Sequence, residues 1–268
     1  MAMKKLSALI KMSNRSNFES KALFITYVLT VVIVLGVGSV ICATAILKPM
    51  TENPATTPEE LGFTFQAIIL CMMTLAVGIC YSVMLSVPMT KDKANGNIES
   101  MLAANANIGD IWVAKTISLF LISLCTGLIA TLAAALILKL ISIPSTVALT
   151  LNGWFLVTIF VGIPLLYLAE CFLITLIALC YSAEGGNVIG AIFCPAIVIL
   201  TINLVARKTI DPTTPVLFII YLALAAVMMV LAFILFRKVD KEKVVLSCKA
   251  EGSTTGKKRP GKPAKAKG

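Results

Sequence analysis

Stretches of about twenty apolar residues recur along this chain, and no other feature limits its possible folds so strongly. A helix rises 1.5 Å per residue, so each stretch is long enough to cross a hydrocarbon core of roughly 30 Å. The runs lie at about residues 22–47, 63–87, 111–138, 154–180, 188–206 and 216–236. Composition agrees: 59% of the residues are hydrophobic, 13% are charged, and the mean hydropathy is +0.97. Soluble domains are roughly 45–50% apolar. The sequence therefore predicts an all-α integral membrane protein with six transmembrane helices.

The distribution of charge sets an expected orientation. The net charge of +10 comes mostly from residues 237–268, which hold 11 Lys/Arg against 3 Asp/Glu. The rest of the chain carries 12 basic and 10 acidic residues, so a nucleic-acid partner has no support in the body. Five basic residues fall in positions 1–21 and two in the 88–110 linker. The alternate linkers hold only Lys48, Lys139, Arg207 and Lys208, and TENPATTPEE at 51–60 has three acids and no base. Cytoplasmic segments of membrane proteins are enriched in Lys and Arg, so both termini are expected in the cytoplasm of a multi-pass protein of the cell membrane.

Residues 1–21 combine Lys4, Lys5, Lys11, Arg15 and Lys21 with Leu6, Leu9, Ile10 and Phe18, the composition of an interfacial amphipathic helix. A cleaved signal peptide competes with this reading, since Ala43-Thr44-Ala45 resembles a cleavage site, but the apolar segment before it is too long for a typical signal. The tail at 237–268, rich in Lys, Gly, Pro, Ser and Thr beyond Cys248, is expected to be mostly disordered, with anionic lipid headgroups as its natural surface partner.

Several chemistries are excluded or unsupported. No histidine occurs, which removes histidine acid–base catalysis, Ser-His and Cys-His pairs, and histidine metal sites. Seven of the eight cysteines lie in apolar runs without CxxC spacing and read as small buried hydrophobes. Gly252-Ser-Thr-Thr-Gly256-Lys257-Lys258 fails as a phosphate-binding loop, because its spacer is one residue short and Lys258 stands where a hydroxyl residue is needed. No catalytic motif remains, and no metal site is expected.

Within the spans Glu170 is the single acid, where an ionised carboxylate costs roughly 2.5–3.5 kcal/mol on insertion scales. It reads either as a substrate-path or gating residue or as a buried hydrogen-bonding group, and Asn203 is a second path candidate. Lys115 and Lys139, at the two ends of the third run, read as side chains that reach the interface. Pro164 and Pro195 mark possible bends.

Between the second and third runs lies KDKANGNIESMLAANANIGDIWVAK, residues 91–115. It turns at Asn95-Gly96 and offers Asn97 as an N-cap, with Glu99 in the first turn where a carboxylate suits the helix dipole. Ile98, Met101, Leu102 and Ile108 give it an apolar side, Gly109 is expected to end it, and Asp110 to cap the following span. The spacing predicts a short amphipathic helix.

These residues resemble the corresponding loop of ABC-2 type transporter permeases. The likeness rests on Asp92-Lys93 through Glu99, then Met101-Leu102-Ala103, Ile111 and Ala114-Lys115. Asn97 stands where the family usually has Thr, and Ala106 falls near its usual Pro. The layout is also similar: a basic N-terminal helix, six spans, and a short linker YSAEGGN between the fourth and fifth. The resemblance implies a permease subunit of an exporter, paired with a second permease copy or a related permease. Separate ATPase subunits would bind ATP and Mg and dock on a cytoplasmic coupling helix. It assigns Gly96, Asn97, Ile98, Glu99, Met101 and Leu102 to that contact, with no cofactor in this chain. The alternatives are a transport-inactive scaffold or immunity-type binding protein of the same fold, or a secondary transporter or channel. A largely apolar path would suit amphipathic or lipid-like cargo.

Overall fold

The computed structural model describes residues 8–14, 21–103, 106–143, 151–181, 183–207, 210–239, 242 and 244–248. Most of the predicted tail, from residue 249 on, and residues 1–7 and 15–20 of the N-terminal segment lie outside the described residues. All regular structure among the described residues is helical. Six helical segments are long and apolar enough to cross a membrane, which makes this a multi-pass membrane protein by architecture.

A short helix, α1, occupies residues 8–14. The first span runs through α2 (Lys21–Cys42), a π-helical turn (Ala43–Leu47) and α3 (Lys48–Glu52). The second is α4 (Pro58–Ala94), followed by the seven-residue α5 (Asn97–Ala103) and the third span α6 (Ile108–Ser142). The fourth consists of α7 (Gly153–Val157), a second π-helical turn (Thr158–Gly162) and α8 (Ile163–Cys180); α9 (Ala183–Ala206) and α10 (Pro215–Phe236) complete the set. A last helical turn, α11, covers residues 244–248.

Both π-helical turns end just before a proline, Pro49 and Pro164. Proline lacks the N–H that would bond four residues back and its ring crowds that carbonyl, so the preceding turn widens. The break expected at Pro164 takes this form, and the one at Pro49 has the same cause. The widened first turn also places Ala43 O within reach of Ser142 Oγ, which donates to it at 3.1 Å from the end of α6. Pro195 lies inside the continuous α9.

The hydropathy runs mark the spans, but the helices outrun them. α4 continues through the charged Lys91-Asp92-Lys93, and its start is fixed by a reciprocal capping box between Thr57 and Glu60. α6 begins at Ile108, with Asn107 as its N-cap residue, so Gly109 lies in its first turn and does not end α5. Asp110 sits in that same first turn, a favourable place for a carboxylate near the helix dipole.

α8 is the hub. It packs against α10, α9, α6 and α4, and 72% of the apolar window of its span is buried. α4 is the second interior helix, packed against α6, α9, α2 and α8. α2, α6, α9 and α10 turn rows of Leu, Ile and Val outward, as side chains facing lipid do. Close approach relies on small residues, because apolar burial gives no preference between a helix and lipid. At Gly127 on α6 a Cβ would lie 2.7 Å from Val77 Cγ2 and 3.3 Å from Val77 backbone, so only glycine permits this spacing of α4 and α6.

The expectation that the cysteines of the spans are buried holds in part, with Cys42 and Cys71 half-buried. Cys171, Cys180 and Cys194 are buried as predicted, but Cys125 is exposed on the outer side of α6. Lys139 is exposed in the last turn of α6, consistent with a side chain that reaches away from the bundle. Lys115 is not: it is 4% exposed and paired inside the fold.

Candidate functional site

The polar insert folds back on the bundle through a turn at Asn95-Gly96. Asn95 N–H donates to Lys91 O at 2.9 Å and Gly96 N–H to Lys93 O at 3.1 Å, closing α4. Gly96 has φ +73°, the left-handed conformation that glycine adopts without strain. α5 then starts, with Ser100 N–H donating to Gly96 O at 2.9 Å. Asn97 is thus the first residue of α5 and not its cap; its side chain is engaged elsewhere.

That engagement is the centre of the site. Asn97 Nδ2 donates to Asp92 Oδ1 at 2.8 Å, while Asp92 Oδ2 accepts from the ammonium of Lys115. Asp92 and Lys115 are both almost wholly buried. In a low-dielectric setting two such charges persist only when matched and hydrogen-bonded, and this pair has both conditions. It clamps the end of α4 to the first third of α6, with α5 attached through Asn97.

Lys93 extends the clamp to the other end of the sequence. Its Nζ donates to Tyr181 O at 3.2 Å and to Ser247 Oγ at 3.1 Å, and Ser247 Oγ donates in turn to Leu179 O at 3.1 Å. The end of α8 and the turn α11 are therefore fastened to the last turn of α4. Apolar packing fills the space beneath. Ile98 is fully buried in a cluster with Met89, Trp112, Leu176, Leu179, Ala232 and Val244, and Met101, three residues on, is nearly buried too. Trp112 Nε1 donates to Phe172 O at 2.9 Å, and its ring stacks on Phe236 with centroids 4.8 Å apart. α1 is also held nearby, with Ser118 Oγ donating to Asn14 Oδ1.

Of the residues that the family resemblance assigned to a partner contact, Ile98 and Met101 face inward, and Gly96, Asn97, Glu99 and Leu102 are half-buried. Ser100 and Ala103 form the exposed side of α5. Sequence reasoning missed the roles of Asp92, Lys93 and Lys115. All three lie in the quoted motif, but the partners that tie them to other spans and to α11 are 23, 88 and 154 residues away, beyond any helical spacing.

The two path candidates are separated. Glu170 on α8 is fully buried, and neither of its carboxyl oxygens has a hydrogen-bond partner among the described residues. The hydrogen bond to a neighbouring helix that was one reading of it is absent among those residues. Asn203 on α9 is exposed, and its side chain donates to Ile199 O of its own helix at 2.9 Å. The inward polar group of α9 is Thr201, whose hydroxyl lies 2.7 Å from that of Tyr221.

At the opposite end of the bundle is a cavity of about 1340 Å³. α4 supplies one wall through Phe63, Ala67, Cys71, Met72 and Leu75; Ile46 and Met50 come from the first span, Val198 and Ile202 from α9. Its rim carries Glu59, Glu60 and Asp211, and among the described residues neither lysine nor arginine lines it. Neither Glu170 nor Asn203 lines it.

No group of three or more metal-ligating side chains occurs among the described residues. No family model, curated protein or solved structure matches the chain.

Proposed function

We propose that this chain is the permease subunit of an ABC-2 type exporter, set in the cell membrane with both termini and α5 on the cytoplasmic side. Separate ATPase subunits would bind ATP and Mg, and a second permease copy or a related permease would complete the transport unit. The chain itself performs no catalysis in this reading. α1 would lie at the inner membrane surface, and α5 would be the coupling helix.

The observation that carries the proposal is the mechanical build of α5. A connecting helix resting on headgroups has no need of a buried ion pair beneath it. Here a seven-residue helix presents Ser100 and Ala103 outward, while Asn97 ties it to Asp92 of α4 and Ile98 joins an apolar cluster with residues of α4, α6 and α8. Force on the exposed side would reach α4 and α6 through the Asp92–Lys115 pair and the end of α8 through Lys93, without being absorbed by a loose loop. Distances of this kind are how one element biases the packing of others.

The test is isolation of the full chain, tagged, in a mild detergent. The proposal expects an ATP-hydrolysing subunit to co-purify, and Ser100→Trp on the exposed side of α5 to release it while leaving the thermal stability of the permease unchanged. An intact chain that never retains an ATPase, in either detergent or nanodiscs, overturns it.

A further inference from the structure

The cavity away from α5 combines two features that do not usually meet in a lipid-filled gap. Its walls are apolar, lined by side chains such as Phe63, Ala67 and Met72, and its volume of about 1340 Å³ exceeds the roughly 300–1,000 Å³ of ordinary ligand pockets. Apolar walls alone would hold any acyl chain. Selectivity has to come from the rim, and among the described residues every charged group there is a carboxylate: Glu59, Glu60 and Asp211.

Two of these carboxylates are held in position. Glu60 accepts from Thr57 N–H at 3.3 Å within the capping box, and Asp211 Oδ1 accepts from the N–H and hydroxyl of Thr213 at 2.8 and 2.6 Å. Glu59 lies in the same first turn of α4 as Glu60, so two separate segments, α4 and the α9–α10 connection, converge on one mouth. The rim repels an anionic head and favours a cationic one, and Phe63 among the lining residues offers an aromatic ring of the kind that suits an alkylated ammonium.

We propose that this cavity is a binding site for a cationic amphiphile: an ammonium head at the Glu59, Glu60 and Asp211 rim and an apolar body along α4. The site is read from the cavity alone and does not rest on the permease reading.

The test uses the full chain in phosphatidylcholine nanodiscs, titrated by calorimetry with dodecyltrimethylammonium below its micelle threshold. Dodecyl maltoside and dodecyl sulfate serve as neutral and anionic probes of equal chain length, and empty nanodiscs provide the subtraction. The expected result is saturable binding of one ammonium probe per chain, about tenfold tighter than either other probe, weakening as salt is raised. The triple variant Glu59→Gln, Glu60→Gln, Asp211→Asn keeps the side-chain shapes and should lose that preference, binding the maltoside as before. Ala67→Trp should abolish binding of all three probes. Equal affinity for the three heads, an undiminished ammonium preference in the triple variant, or uptake no greater than in empty nanodiscs overturns the proposal; a thermal melt of each variant confirms that it is folded.

Discussion

The two ends of this bundle are held together by opposite means. At the α5 end a buried carboxylate, two buried lysines and the side chains of Asn97 and Ser247 join α4, α5, α6, α8 and α11. At the other end the helices stand apart around an open volume, and the ion pair there among the described residues is the exposed Lys48–Glu52 contact at 4.0 Å. The capping box of α4 and the Asp211–Thr213 turn are local, and the bonds between elements, from Ser142 to Ala43 O and from Asn152 N–H to Gln66, are neutral. Buried ionic links hold one arrangement stiffly because separating them leaves uncompensated charge, whereas apolar walls slide. The difference suits a molecule that receives force at one end and changes shape at the other.

The largest expected effect comes from unpairing the clamp. Asp92→Ala strands the Lys115 ammonium in the interior and should cost about 3–5 kcal/mol, seen as a large drop in the melting temperature in detergent. Pairing it with Lys115→Met should restore most of the loss; if the double variant is no more stable than the single, the ion pair is not what joins α4 to α6.

Lys93→Met removes the donor to Tyr181 O and Ser247 Oγ and should cost about 1.5–3 kcal/mol. The added signature is local: faster amide exchange in α11 with little change near the cavity. On the cavity side, Thr57→Ala breaks the capping box and should cost about 1 kcal/mol, with faster exchange confined to the first turn of α4. A loss there equal to that from Asp92→Ala would erase the contrast between the ends.

The smallest change is expected between them. Glu170 is fully buried with no hydrogen-bond partner for either oxygen among the described residues, so Glu170→Met fills the same space without a polar group to desolvate. Its melt should shift by less than about 1 kcal/mol or become more stable. A strong destabilisation would show that the carboxyl is held by a partner.

The spans were legible because hydropathy over twenty residues sums many small transfer terms, and no local accident outweighs the sum. Their ends were not. Lys91, Asp92 and Lys93 read as linker because they are charged, yet they continue α4, since each of the latter two finds a partner in another element. Local geometry was read well at Asn95-Gly96, where the turn needs a left-handed residue, and poorly one position later. Asn97 has the side chain of an N-cap but spends it on Asp92. The cavity had no trace in the sequence, because its wall draws on the first span, α4, α9 and two connections that are adjacent only in the fold. Asn203 was chosen for its polarity within a span; polarity marks a residue of interest but does not say which side of the helix it occupies.

The bond from Lys93 to Ser247 has a consequence for how the protein is made. The two residues are 154 positions apart, and translation proceeds at about 5–20 residues per second, so Lys93 emerges about 8–30 s before its acceptor exists. The first three spans can insert and pack in that interval, but the α5 end stays unsealed, with the Lys93 ammonium still in water. Closure comes last, when the segment after α10 leaves the ribosome and lays Val244, Ser247 and Cys248 over the ends of α4 and α8. The α5 end is thus sealed only after the sixth span has been made, and a truncation at Phe236 would yield six inserted spans with that end left open.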